Sequence, residues 1–417
     1  MQIQLQSAKI IDPTSSFHGD RLDILICDGI IEKIDNKINA DKATVIARDD
    51  LHLSSGWFDS NVSFGEPGYE ERETLSHGLH VAATSGFAHI AYNTNTNPLP
   101  TTKADIAFLM RKTADTPTLI HPKAHITTES KNNQLADLND LSLAGAVGFS
   151  NNKTPIDNPH MLLLALQYVR GFDGLIESFP LDPQLCVNGV MHEGIMSTSL
   201  GLTGISNLAE EIRIRRDLSI LAYTGGKLHI PTISTAQGVA LIRQAKKENL
   251  DVSCSVAIHN LMLTDAELEG FDTRFKLMPP LRESSDQKAL IKGIKDGTID
   301  MVTSDHQPMD IEHKKMEFEH AAHGSIGLET AYGSLCALFD NQAAATLLTN
   351  GKDRFGVQQQ PIAVGEKADF SLFSPKGKTT VQKENIISSS KNSAYLGKEI
   401  PGTVYGVVNN GKLHLND

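Results

Sequence analysis

WFDSNVS, residues 57–63, opens a series of strand-length apolar runs that decides the fold. FAHIAYN (87–93), TLIHPKA (118–124), GAVGFS (145–150), GLIESF (174–179), LHIPTIS (228–234), VSCSVAI (252–258) and IDMVTSD (299–305) follow it. Between them lie stretches such as KADIAFLMRKTA and AQGVALIRQAKKEN, whose apolar residues recur at three- and four-residue spacing, as on one face of a helix. Strands alternating with helices indicate βα units and a parallel sheet, and eight alternations over about 300 residues is the count of a (β/α)8 barrel. The fold class expected is therefore α/β, a TIM-type barrel.

Working outward, the chain up to residue 53 reads as short strands. LQSAKIID and DILICDGIIEKID are rich in Ile and Leu, and Asp28-Gly29 is a hairpin-turn signal. From 361 onward ADFSLF, GTVYGVV and KLHLN return to that pattern. The expected organisation is a barrel over 54–360 with a small β-sandwich assembled from 1–53 and 361–417. The fifth and sixth barrel units are separated by an insertion, PLDPQLCVNGVMHEGIMSTSLGLTG. No internal repeat or low-complexity tract is present.

The 417 residues carry a net charge of -12, which disfavours nucleic acid or an anionic membrane as the main partner. No apolar stretch approaches the roughly 20 residues of a spanning helix. MQIQLQSAKIIDP lacks the basic start and apolar run of a signal peptide. Cys27, Cys186, Cys254 and Cys336 are scattered, a pattern of reduced thiols and of a cytoplasmic protein.

Barrel enzymes keep their functional groups at the C-terminal ends of the strands. Here those ends offer Asn61, Ser63, Asn151, Glu177 and Thr232, and only MVTSDHQP ends in an acid and an imidazole, Asp305 and His306. Zinc favours His, Cys and carboxylate ligands, so the scaffold of a metal site is present with little of its chemistry.

GWFDSNVSFGEPGYEERET (56–74) resembles the first-strand motif of the dihydroorotases, members of the amidohydrolase superfamily. Asp59, Glu66, Pro67 and Gly68 match the motif. Asn61 and Ser63 stand at its two metal-binding histidines, and Gly65 at the arginine that grips the substrate carboxylate. NTNTNP places Asn95 at a substrate-contacting asparagine, and GAVGFSNN places Asn151 at a bridging carboxylate. LIESFP puts Glu177, or equally Ser178, at a metal histidine, and LHIPTISTA puts Thr232 at another. FKLMPPLR and SDHQPM place Met278 and Met309 at further substrate positions, while Asp305 is retained.

The resemblance implies six metal-ligand positions: Asn61, Ser63, Asn151, Glu177, Thr232 and Asp305. Only Asp305 keeps its ligand. What it implies for function is a dihydroorotase homologue of pyrimidine biosynthesis whose catalytic site is vestigial. No cofactor is expected, zinc being required only if the chain is an active cyclic-amide hydrolase with an unusual site. Inactive homologues in the family associate with aspartate transcarbamoylase, the partner this reading anticipates, and many members are dimers, so a homo-oligomer is expected. Two alternatives stand beside it, the unusual active hydrolase and a metabolite sensor anchored at Asn95.

The remaining polar groups have plainer readings. His229 and His259 are expected to be satisfied core histidines, and Lys153 a solvated side chain in a turn. Asp305 is expected to accept hydrogen bonds from neighbouring strand ends. His121 and His125 share a strand face with a spacing compatible with a metal, but lack a third ligand. Glu177 and Asp305 could together hold one hard cation. IRIRRD (212–217) is expected to be a solvated helix face, with an acidic partner surface as the alternative.

Overall fold

The computed structural model describes residues 2–128 and 134–416. Eight parallel strands follow one another in sequence order around a barrel: Trp57–Val62, Phe87–Tyr92, Leu119–Ala124, Gly148–Phe149, Leu175–Glu177, Lys227–Ile230, Val252–Ala257 and Met301–Thr303. The eighth returns beside the first, where Asp59 joins them. Its carboxylate accepts from the Ser304 amide at 2.9 Å and from the Thr303 hydroxyl, while the Ser63 amide donates to the His306 carbonyl at 2.9 Å.

Each crossover helix buries one apolar face on the strands. The helix Ala236–Lys247 turns Val239, Ile242 and Ala245 inward, and the Thr235 side chain caps it by accepting from the Gly238 amide. Phe58, Ala91, Leu175, Met301, Phe355 and Val357 fill the floor of the barrel, leaving its mouth to polar side chains.

Both termini contribute to one eight-stranded sheet with its own core, which includes Ile3, Ile24, Leu53, Phe370 and Leu372. The anticipated sandwich is thus built as a single sheet. Its hinge is the strand His52–Ser55, which runs parallel to Gln2–Ile11 on one side and antiparallel to Phe370–Thr380 on the other. Asp28 and Gly29 both take positive φ, 48° and 79°, the primed turn that matches the strand twist. Sheet and barrel meet at an aromatic cluster. Trp57 lies 5.0 Å from Tyr332 and 5.4 Å from Phe373, centroid to centroid. No helix among the described residues is long and apolar enough to cross a membrane.

Candidate functional site: a barrel mouth neutralised by lysines

At the end of the eighth strand Asp305 is buried, with φ +50°, a backbone region disfavoured for residues other than glycine. Both of its carboxylate oxygens are engaged. Oδ1 accepts from the Asn61 amide at 2.6 Å and Oδ2 from the Lys153 ammonium at 2.8 Å. Lys153 is therefore not the solvated turn residue its sequence position suggested. Asn152 before it has φ +51°, and the lysine side chain ends only 14% exposed, on a carboxylate 152 positions away. Burial pushes the Asp305 carboxyl up, against the pull of Lys153.

A second ion pair crosses the barrel interior. Lys123, from the third strand, donates to Glu177 Oε2 at 2.8 Å, and both side chains are only 1% exposed. Its ammonium also reaches Asn93 Oδ1 at 3.2 Å. The Asn93 amide donates to Ser63 Oγ at 3.0 Å, and Ser63 donates in turn to Asn95 Oδ1 at 2.9 Å. Burial raises the Glu177 carboxyl and Lys123 opposes it. Ser178 points the other way, donating to Asp217 on the helix Asn207–Thr224 at 2.6 Å, so Glu177 is the residue that faces the barrel interior.

The other positions diverge. Asn151 Oδ1 accepts from the Ile126 amide at 3.1 Å. Thr232 takes φ +49°, and its buried hydroxyl has no hydrogen-bond partner. Gly65 has φ +146°, and a Cβ there would lie 2.3 Å from the Tyr69 carbonyl, so the loop as folded admits no side chain. Met309 is buried and Met278 half-buried. The Met309 amide donates to Ser390 Oγ and Asn392 Oδ1, both at 3.3 Å.

The histidines divide. His229 is satisfied by Ser253 and Ser255, at 2.9 and 3.2 Å. His259, read as a satisfied core residue, is buried with neither ring nitrogen partnered. Burial, with Lys153 and His306 nearby, pulls its pKa down to about 3. His306 Nδ1 faces the Gly327 and Leu328 amides at 3.2 and 3.4 Å, which makes it the acceptor and puts the proton of the neutral ring on Nε2. His121 faces His89 at 3.0 Å, whereas His125 faces the Thr127 carbonyl at 2.8 Å. The two imidazoles of HPKAH thus take separate partners.

IRIRRD is also more internal than its composition suggested. Arg213 is buried against Asp157 at 2.9 Å, and Arg216 pairs with Asp217 at 2.6 Å, leaving Arg215 as the exposed arginine of the three.

These contacts do not fit a metal. Glu177 and Asp305, which could have shared a cation, are each neutralised by an ammonium, and Asn61 uses its amide as a donor. One group of three potential ligands converges elsewhere among the described residues, His192, Asp265 and Glu283, with ligand atoms within 4.8 Å of one another. Arg282 Nη1 lies 3.2 Å from His192 Nδ1, and a guanidinium can only donate. The proton of the neutral imidazole is thereby placed on Nε2, the nitrogen 3.9 Å from Glu283, and a protonated nitrogen is no ligand.

The architecture is that of solved hydantoinases and dihydropyrimidinases. The L-hydantoinase (dihydropyrimidinase) of Arthrobacter aurescens superposes with a TM-score of 0.84 at 20% identity, covering 100% of this chain and 97% of its own. The dihydropyrimidinase of Brevibacillus agri does so at 0.82 and 20%, covering 100% and 95%. The fold is the TIM-barrel fold of the amidohydrolase superfamily. A family model described as Dihydro-orotase-like matches residues 52–238. The dihydroorotase of Pelotomaculum thermopropionicum is 33% identical over 424 residues, covering 100% of this chain and 99% of the relative. That of Geobacter metallireducens is 33% identical over 422 residues, covering 99% of each. The chain belongs to the dihydroorotase family, a family of pyrimidine biosynthesis.

The motifs singled out Asn61, Glu177 and Asp305, but from sequence Lys153 reads as a solvated turn residue and Lys123 was given no role, whereas the structure pairs both lysines with the acids. A signal for Lys123 was present. A lysine inside an apolar strand, on the face that points into the barrel, requires a buried counter-charge, and Glu177 was the available one.

Proposed function

We propose that this chain is a non-hydrolytic member of the dihydroorotase family, acting as a structural or regulatory partner of aspartate transcarbamoylase. The observation that carries the first half is Asp305, whose two oxygens are engaged by the Asn61 amide and the Lys153 ammonium. Hydrolysis of a cyclic amide at neutral pH calls for a metal that lowers the pKa of its bound water, and for a carboxylate free to move the proton. Without the metal, water keeps a pKa of about 15.7, far beyond the reach of a carboxylate.

The partner role is supported by an intact framework around a neutralised mouth, since a retained fold does not require a retained activity. The identity of the partner comes from the family resemblance. The test is elemental analysis and a dihydroorotate assay on protein incubated with zinc, with sedimentation alongside the transcarbamoylase of the same cell. Expected are less than about one-tenth equivalent of zinc, no turnover, and a discrete complex. Two bound ions or measurable turnover would overturn the non-hydrolytic half, and independent sedimentation the partner half.

A further inference from the structure

The segment 307–324, which follows the last barrel strand, forms a strap beside the mouth. Its outer residues are exposed, including Ile311, Met316, Glu317 and Glu319, while Lys314 and Phe318 anchor it from below. Lys314 is 3% exposed, and its ammonium donates to the carbonyls of Ala322 at 2.9 Å, Gly324 at 3.0 Å and Lys276 at 3.4 Å. Lys276, 2% exposed, donates to those of Phe318 at 2.7 Å and Glu319 at 2.8 Å. Among the described residues no carboxylate forms an ion pair with either ammonium.

We propose that the strap is a proton-linked latch, tightened by alkali and loosened by acid, with Lys314 as its titrating bolt. Closing the strap buries two ammonium groups that donate to main-chain carbonyls within the same segment, and Lys276 repels Lys314. An open strap returns Lys314 to water. Burial and a like charge both disfavour the charged amine, so closure releases a proton over part of the pH range.

The groups facing Lys314 pull in opposite directions, and the repulsion is the larger. From outside the strap they are Lys276, which repels it, and Asp272, which attracts it but is already paired with Arg274 at 2.5 Å. Within the strap His313 is paired with Asp310 at 2.6 Å, and Glu319 acts on Lys276. His323 is kept neutral, its pKa down at about 3 through burial and the fields of Lys276, Lys153 and Lys314. For Lys314 itself, burial and Lys276 bring the pKa down to about 7. With the open form near the ordinary lysine value of about 10.4, closure strengthens as pH rises from about 7 and is indifferent to pH below that.

The latch stands independently of whether the mouth catalyses anything. Its test is hydrogen exchange resolved to the strap, where the Ala322 and Gly324 amides donate to the His313 and Lys276 carbonyls at 2.9 and 3.1 Å. Rates are taken between pH 6.5 and 9.5, corrected for intrinsic exchange, with barrel-strand amides as the internal reference. Expected is a corrected rate that falls with rising pH above 7, by at most about tenfold per pH unit for one linked proton, and a profile without that slope in Lys314→Met. A wild-type strap whose corrected rate is flat or rises with pH overturns the proposal, as does a Lys314→Met protein that keeps the wild-type slope. The wild-type profile decides the matter alone if the variant fails to fold.

Discussion

Two carboxylates, one at each end of the barrel, meet opposite fates: Asp369 at the floor is partly exposed and Asp305 at the mouth is buried. At the floor Asp369 Oδ2 accepts from Lys352 Nζ at 2.9 Å and faces His89 Nε2 at 3.0 Å. Burial pushes its carboxyl up, but His89 and Lys352 together outweigh burial and hold it well below the usual carboxylate range. At the mouth Asp305 has one ammonium and one neutral amide, and there burial wins. Each acid has a lysine at a similar distance, but His89 adds a second pull on Asp369, whereas the Asp59 carboxylate raises Asp305 further. The floor's charge contributes to stability, whereas the mouth holds a compensated acid at the end of the eighth strand.

The largest effect is expected where a partner is stripped from the most enclosed pair, Lys123 and Glu177. Lys123→Met leaves Glu177 buried and uncompensated, and the expected loss is about 4 kcal/mol in denaturant unfolding. Lys123→Met combined with Glu177→Gln should recover much of it, because the penalty lies in the orphaned charge.

Next comes the floor, where Asp369→Asn should cost about 3 kcal/mol at pH 7 by leaving Lys352 buried without its counter-charge. Because the folded pKa of Asp369 is depressed, its contribution is fully present above the unfolded value of about 3.9 and is lost as pH falls below it. The gap between wild type and variant should therefore narrow in an acid titration of stability.

Gly65→Arg introduces the arginine that the motif resemblance anticipates at a place where the loop cannot take it. With φ at +146° and the Tyr69 carbonyl in the way, about 2 kcal/mol of destabilisation is expected in thermal unfolding, with no gain in dihydroorotate binding by calorimetry.

The smallest effect belongs to the mouth acid. Asp305→Asn keeps the shape, and Lys153 can turn toward water, so about 1 kcal/mol or less should be lost at pH 7. Here the sign reverses. A raised folded pKa means that the folded state holds the proton longer, so this acid contributes stability at low pH that is lost as pH rises through its folded value. The Asn variant should lack that loss. An Asp305→Asn effect as large as that of Asp369→Asn would erase the distinction between the two ends.

The fold was legible because its signals are local and repeated. Alternating apolar runs and helical spacing located all eight strands, although the fourth, expected over 145–150, shrinks to Gly148–Phe149 in the ladder. The motifs tied to strand ends pointed to Asn61, Glu177 and Asp305, whose side chains the structure engages in the hydrogen bonds and ion pairs of the barrel interior and mouth. What occupies those ends was not legible, because the direction of a long side chain is a tertiary fact. Lys153 reads as a turn residue until the backbone reverses at Asn152 and the eighth strand arrives beside it. His259 was read as satisfied because burial usually implies a partner, and the structure leaves both of its nitrogens bare. The arginines of IRIRRD looked solvated because Asp157 and Asp182, which receive Arg213 at 2.9 and 3.7 Å, lie far back along the sequence.

The single sheet woven from both termini imposes an order on biosynthesis. Ser54 pairs with Ser371 and Leu53 with Leu372, so an early strand emerges from the ribosome without its neighbour until the whole barrel has been translated. Over that interval its open edge is a template on which another nascent chain adds a strand, and chaperone protection matters most then.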